Sequence, residues 1–572
     1  MTDTRDTGAM RQPIDRSRLI FWGVAVLTTV LVAGPILPIV IQAFLDKPLY
    51  DSTAAPTLGN FARLATEPGM ARIFFNTLYF GALTMVLAQV FGAVMAVLVG
   101  RTNLPGRSWM GEIFIWPLFV SNLVIAFGWF TMYGPSGFIT LAARTYLGGA
   151  PWDLYTVTGM GVVAGLSQAP LTYLMCLAAV TKADPQLEDA ARSAGAGPFR
   201  ALWSVTIPMI RPAIIYSAVL NFVVGIEMLA IPLLFGGPSG IQTVTTFLYD
   251  KGINAAVRPE YGIVGAAAII LLVLVALLVW LQGYLMRGAG RFVTVRGKAS
   301  RPSILDLGRW RWPAFAFVFA FIFLTILSVF GGIFARSMVS FLTPLIPFWK
   351  VLTTANFELV FNSSTYMRSI WNSVLVSAIG AALGTVFITI IALVARRSDF
   401  RFRRPLEYVA LFPRSLPGII AGLGFFYAVI WLPGADMIRG TIAVLIIAFM
   451  VRYIPVGFGA IAPALAQIGE ELDRGARIAG ADWWTTVTRI VVPILKPALF
   501  SCYALLFIHF FKEYVTAAFL YQPGSEIIGT TMLQLVAQGD NGPVSALATI
   551  QVIITALFVL FARRLLGAKI YG

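Results

Sequence analysis

Histidine occurs once and cysteine twice in 572 residues, and only 12% of the chain is charged. So few soft ligands cannot assemble a conventional transition-metal or zinc site. Cys176 and Cys502 stand in non-equivalent apolar segments, which argues against a disulfide framework. The scarcity of charge, set against 58% hydrophobic residues and 43 Phe, excludes a soluble globular protein. No Gly-x-x-x-x-Gly-Lys-Ser/Thr occurs, since Gly297-Lys298 is followed by Ala299. The chain therefore has no Walker A loop with which to cradle the phosphates of ATP.

What is present is a succession of apolar runs of about 20 residues, the length that crosses a bilayer as a helix. They fall near 19–44, 72–99, 113–133, 157–180, 213–235 and 263–286, then near 313–335, 370–395, 407–432, 441–465, 498–520 and 544–566. The runs do not alternate, which argues against a β-barrel. The expectation is an all-α integral membrane protein of about 12 transmembrane helices, built as two parallel six-helix repeats over 1–290 and 291–572. The first run follows a polar, Arg-bearing N-terminus. At about 25 residues it is too long for the apolar core of a cleaved signal peptide, and reads as a retained anchor.

The net charge of +16 could suggest nucleic acid, but its distribution points elsewhere. Arg287 to Arg311 contains seven Lys and Arg, and Arg396 to Arg404 contains five, all on one predicted side. This positive-inside bias places both termini in the cytoplasm and makes the bilayer, not nucleic acid, the partner.

The two halves repeat one another. Asn76-Thr77 pairs with Asn372-Ser373, Arg101 with Arg397, Pro117 with Pro413 and Gly128 with Gly424, all offset by 296. Extra residues around Gly134 to Thr158 then shorten the offset to 285, and Thr245-Thr246 pairs with Thr530-Thr531. An even number of spans per half gives both repeats the same orientation, related by an axis along the membrane normal. Such an axis leaves a central seam as the natural solute path.

Ionisable groups within apolar spans usually face a cavity or a partner. Here they are Glu227, Arg414, Arg452, Lys512 and Glu513, with His509 one turn from Glu513. Glu227, Arg414, Arg452 and Glu513 are candidates for a translocation path. Internal pairing, for instance of Arg452 with Glu227 or Glu513, is the structural alternative. At ~1.5 Å per residue, Glu227 and Glu513 sit roughly 20 Å in from the cytoplasmic ends of their helices.

Two polar loops, near 186–200 and 471–485, interrupt the hydrophobic pattern at equivalent places. The first reads Asp189-Ala190-Ala191-x-x-x-Gly195, closing on Ile207-Pro208; the second reads Arg474-Gly475-Ala476-x-x-x-Gly480, closing on Val492-Pro493. Both resemble the EAA motif of the permease subunits of type I binding-protein-dependent ABC importers, and the resemblance covers roughly 72–286 and 370–566. Alanines at 190 and 191 favour a slim helix. Gly195 and Gly480 suit a left-handed helix end, and Glu188 and Asp189 suit the helix start. The chain departs from the family pattern where Asp189 and Arg474 stand for its Glu, although Glu188 and Asp473 lie one residue earlier, and where Gly475 stands for the first Ala of the second copy.

The resemblance implies that each loop is a coupling helix seated in a groove of an ATPase subunit. The coupling residues would be Glu188, Asp189, Ala190, Ala191 and Gly195 in one copy, and Asp473, Arg474, Gly475, Ala476 and Gly480 in the other. It further implies a homodimeric ABC ATPase in the cytoplasm, which carries the ATP-Mg, and a periplasmic substrate-binding protein outside. The chain itself would be a non-catalytic multi-pass subunit of a bacterial inner membrane, without a cofactor. Ferric iron is the favoured cargo, crossing chelated if the receptor does the selecting; thiamine, an aminophosphonate or a polyamine are alternatives within the class. An ion-gradient-driven secondary transporter with a 6+6 architecture shares the span count but gives no reason for the paired loops. An intramembrane enzyme lacks a catalytic constellation.

Overall fold

The computed structural model describes residues 16–182, 186, 190–191, 193–197, 200, 202–253, 260–286, 304–431, 434 and 437–565. Among them, ten helices are long and apolar enough to cross a membrane, and two bent helix pairs bring the number to as many as twelve. In chain order they are α1 (Ser17–Ala43), α2 (Met70–Arg101), α3 (Asn122–Leu147), α4 (Val157–Thr181), α5 (Trp203–Glu227) and α6 (Tyr261–Leu285). Then come α7 (Gly308–Ser337), α8 (Ser364–Arg397), α9 (Arg403–Ser415 bent 111° into Gly418–Trp431), α10 (Ile442–Arg452 bent 50° into Ile454–Gln467), α11 (Trp483–Phe511) and α12 (Asn541–Arg564).

Two expected runs break. The run at 113–133 breaks at Val120-Ser121, where extended backbone is followed by Ser121 capping the next helix through Val124 N–H at 3.2 Å. The run at 407–432 breaks in the same way ahead of Pro417. Ahead of Pro208 and Pro493 the chain passes through π-helical turns at Leu202–Thr206 and Val487–Val491. Pro208 and Pro493 then occupy the first helical positions after these turns, where a missing N–H costs least. The two helices end at Glu227 and Phe511, so Glu227 and Lys512 stand at helix C-termini.

Each half is organised around an equivalent trio, α2, α4 and α5 in one and α8, α10 and α11 in the other. Helices in lipid gain little from apolar burial alone, and close backbone approach through small residues supplies the contact. Gly92 of α2 lies against Ala169 and Thr172 of α4 closely enough to exclude any side chain. The first trio also carries a buried polar seam: Asn221 donates to Thr172 at 2.7 Å, and Gln89 donates to Thr172 at 3.0 Å and to Ser217 at 3.1 Å. The equivalent positions in the second trio are Thr385, Gly457, Cys502 and Leu506, so that seam is mostly apolar.

The repeat glycines Gly128 and Gly424 explain how the halves interlock. The first helix of each half packs on the other half: α7 lies on α3, and the outer part of α1 lies on α9. A Cβ at Gly128 would meet Val329 and Ile333 of α7, while one at Gly424 would meet Pro35 and Ile39 of α1.

A short helix packs against the non-terminal end of each half, Val244–Gly252 and Ile528–Gln538. Asn76 donates to Gln242 O and Thr77 accepts from Val244 N; Asn372 donates to Glu526 O and Ser373 accepts from Ile528 N. Thr246 and Thr530 accept from the N–H groups of Thr243 and Ile527 at 2.9 and 3.0 Å. The repeat register here is therefore 284, one residue from the pairing of Thr245-Thr246 with Thr530-Thr531.

Candidate functional site: paired loops and a central cavity

The two polar loops share one helix-ending geometry. Gly195 has φ +88° and Gly480 φ +82°. The following residue closes back on the helix in each: Ala196 N donates to Ala191 O at 3.0 Å, and Ala481 N to Ala476 O at 2.9 Å. This is the left-handed C-terminal closure that glycine permits without strain. Nothing lies within 4 Å of a Cβ at either position, so conformation and not packing makes glycine the fitting residue. Glu188 and Asp189 lie outside the described residues; Ala190 and Ala191 are helical.

The second loop, helix Glu471–Ile478, shows how its charges divide. Asp473 turns inward and meets Arg397 at 2.6 Å, with side-chain exposures of 17% and 7%. Arg397 also donates to Leu465 O and Ile468 O, and Trp483 Nε1 donates to Arg397 O at 2.9 Å. The loop is thus bolted to the end of α8. Arg474 turns outward and makes an exposed i,i+4 pair with Glu470. Ile478 is 88% and Leu472 44% exposed, so apolar side chains stand at the surface beside these charges.

Between the halves lies a cavity of about 490 Å³, lined by the α3 turn, α4 and α5 of the first half and by α10 and α11 of the second. Glu227, Arg452 and Glu513, together with His509 and Lys512, line it. Arg452 and Glu513 pair at 2.8 Å; Thr516 donates its N–H to Glu513 at 3.0 Å, and Tyr453 OH donates to the other carboxylate oxygen. Lys512 crosses to the first half and donates to Leu118 O at 2.6 Å, while Ala230 N donates back to Tyr514 OH at 3.2 Å. Sequence periodicity holds no trace of these two ties, whose acceptors are backbone or hydroxyl groups.

Arg414 is not part of this lining. The 3₁₀ turn Phe412–Ser415 directs it to Tyr216 OH at 2.8 Å and Gln282 Oε1 at 3.2 Å, over the Tyr216 ring. It joins α9 to α5 and α6, and so stands as an inter-half tie away from the cavity. Among the described residues no group of three or more His, Cys, Asp or Glu could hold a metal ion.

The model of a family described as the binding-protein-dependent transport system inner membrane component matches residues 88–291 and 384–570. The ferric transport system permease protein FbpB of Actinobacillus pleuropneumoniae is 25% identical over 542 residues, spanning 93% of this chain and 76% of that protein. A putative ferric transport system permease protein of Haemophilus influenzae is 26% identical over 482 residues, spanning 83% and 73%. A solved bacterial ABC transporter that imports alginate aligns at 18% identity with a TM-score of 0.37, covering 46% of this chain and 97% of the other.

Proposed function

Because the chain belongs to the family of binding-protein-dependent transport system inner membrane components, we propose that it is the fused permease of an ATP-driven ferric iron importer. The family assignment makes it a multi-pass membrane permease; the ATPase, the receptor, the cargo and the sidedness are the proposal. The observation that carries it is the matched pair of glycine-closed helices, Gly195 and Gly480, on one face of a pseudo-symmetric membrane body. Two equivalent helix ends in one chain suit the two subunits of a homodimeric ABC ATPase. The exposed side chains of Leu472 and Ile478 supply apolar surface for such a contact. The face with both termini is then cytoplasmic, in agreement with its Lys and Arg excess.

In operation, ATP-driven closure of the ATPase dimer draws the two coupling helices together and rocks the halves about their seam. The ties that must yield are Lys512 to Leu118 O and Tyr514 to Ala230 N, both of which bridge the cavity. The cavity then opens toward a docked periplasmic binding protein, and hydrolysis resets it. The permease makes and breaks no covalent bond. Ferric cargo rests on two of the relatives, both named as ferric transport permeases.

The test is to assemble the permease with its ATPase and measure which loaded binding protein stimulates ATP hydrolysis. Stimulation by the ferric-loaded receptor above the empty receptor is expected. Stimulation only by a receptor carrying an organic solute would replace iron as cargo while leaving the permease assignment in place.

A further inference from the structure

The charged groups of the cavity are unequally satisfied. Arg452 and Glu513 neutralise each other, and Glu513 has both oxygens bonded through Arg452, the Thr516 N–H and Tyr453 OH. Lys512 is held by Leu118 O. Of the four charged side chains, Glu227 alone makes no hydrogen bond or ion pair among the described residues.

Its position makes this costly twice over. Glu227 is the last residue of its helix, with Met228 as C-cap. The partial negative charge of a helix C-terminus disfavours a carboxylate there. The equivalent position in the second half, 285 residues on, is Lys512, the C-cap residue of the helix ending at Phe511. A cation is what that dipole favours. The same helix end therefore carries the favoured charge in one half and the disfavoured charge in the other, and the disfavoured one faces an open cavity. Its electrostatic attraction is to Arg452, whose own hydrogen bonds go to Glu513 and Thr516, and acids left without a bonded partner in membranes are kept for what they bind.

We infer that Glu227 is the carboxylate through which the central cavity contacts its cargo, and that the cargo face turned toward it carries positive charge or acidic protons. This rests on the permease reading above and adds the chemistry of the cargo to it. Metal-bound water or hydroxide on a ferric ion has this chemistry, and so does an ammonium group. One carboxylate outside any cluster of three ligating side chains among the described residues holds either only briefly, which suits passage more than storage. Arg452, Lys512 and the His509 ring face the same space from the second half, and the paired state of Arg452 leaves Glu227 as the open acceptor.

The experiment uses the full permease with its ATPase and binding protein in proteoliposomes, offering ferric ion in one arm and putrescine in another. Glu227→Gln should cut ATP-dependent uptake of the transported solute about tenfold, the loss of one charge-assisted contact. Glu227→Asp should recover part of it, and receptor-stimulated ATP hydrolysis should persist in both variants. The stability readout separates contact from architecture: with a contact role, Glu227→Gln raises the thermal midpoint of the detergent-purified permease, because an unfavourable charge is gone. A lowered midpoint, or full uptake by Glu227→Gln, overturns the inference. Putrescine transport by the unaltered protein, with loss in Glu227→Gln, overturns the ferric reading and leaves Glu227 in its role. If the unaltered protein moves neither solute, the ferric reading falls, and the direction of the midpoint shift still decides for or against Glu227.

Discussion

Replacing Asp473 by Ala removes the acid that holds the second polar loop to α8 and leaves Arg397 without its counter-charge. Losing one partner of a buried pair costs about 3–5 kcal/mol. Here Arg397 keeps the carbonyls of Leu465 and Ile468, and Asp473 is 17% exposed, so a smaller loss applies. About 2 kcal/mol is a fair expectation for the charge-assisted bond alone, and at 1.4 kcal/mol per decade it raises the open population of the loop roughly 30-fold. Hydrogen exchange reads that population directly. Amides of 474–481 in Asp473→Ala should exchange roughly 30-fold faster than in the unaltered protein, as the same arithmetic requires. Amides of 193–197 in the first loop should not change. The double variant Arg397→Met/Asp473→Leu should recover most of the protection, because it strands no charge. Unchanged exchange in the single variant, or a double variant no better than the single, would refute the view that this pair bolts the loop down.

Arg452→Met should destabilise the purified protein more than Arg414→Met in thermal unfolding, because only the first strands an acid, Glu513; adding Glu513→Gln should recover most of the loss. Gly424→Ala should lower the thermal midpoint by prying α1 from α9, at a cost of about 1–3 kcal/mol for overpacking, and Gly128→Ala should act alike through α7. The double Gly195→Val, Gly480→Val variant places β-branched residues at φ near +85°, a conformation costing about 1–2 kcal/mol per residue. It should lose ATP-driven uptake while remaining folded in the membrane, and undiminished uptake would count against the coupling role.

Much of this architecture is legible in the residues because the repeat writes its constraints twice. Gly128 and Gly424 each face the first helix of the opposite half, and Asn76 and Asn372 each hold an outer helix, so one physical demand selects one residue type at both places. Hydropathy likewise locates most spans, since bilayer thickness sets their length. The breaks at Ser121 and Pro417 escape notice because a turn in the protein interior interrupts no apolar run. Arg414 and Arg452 look alike as lone cations in apolar sequence, but only the fold puts Glu513 beside one and Tyr216 beside the other. The register of 285 already aligns Glu227 with Lys512; what it lacks is the helix end, which turns that alignment into a contrast of charge against dipole.

The most direct test of the account is solute uptake into proteoliposomes that hold this permease with its ATPase, charged with loaded binding protein outside. ATP sealed inside should drive accumulation of ferric ion, and replacing it with a non-hydrolysable analogue should abolish accumulation while dissipating proton and sodium gradients leaves it intact. Accumulation that follows an ion gradient and ignores ATP would contradict the account.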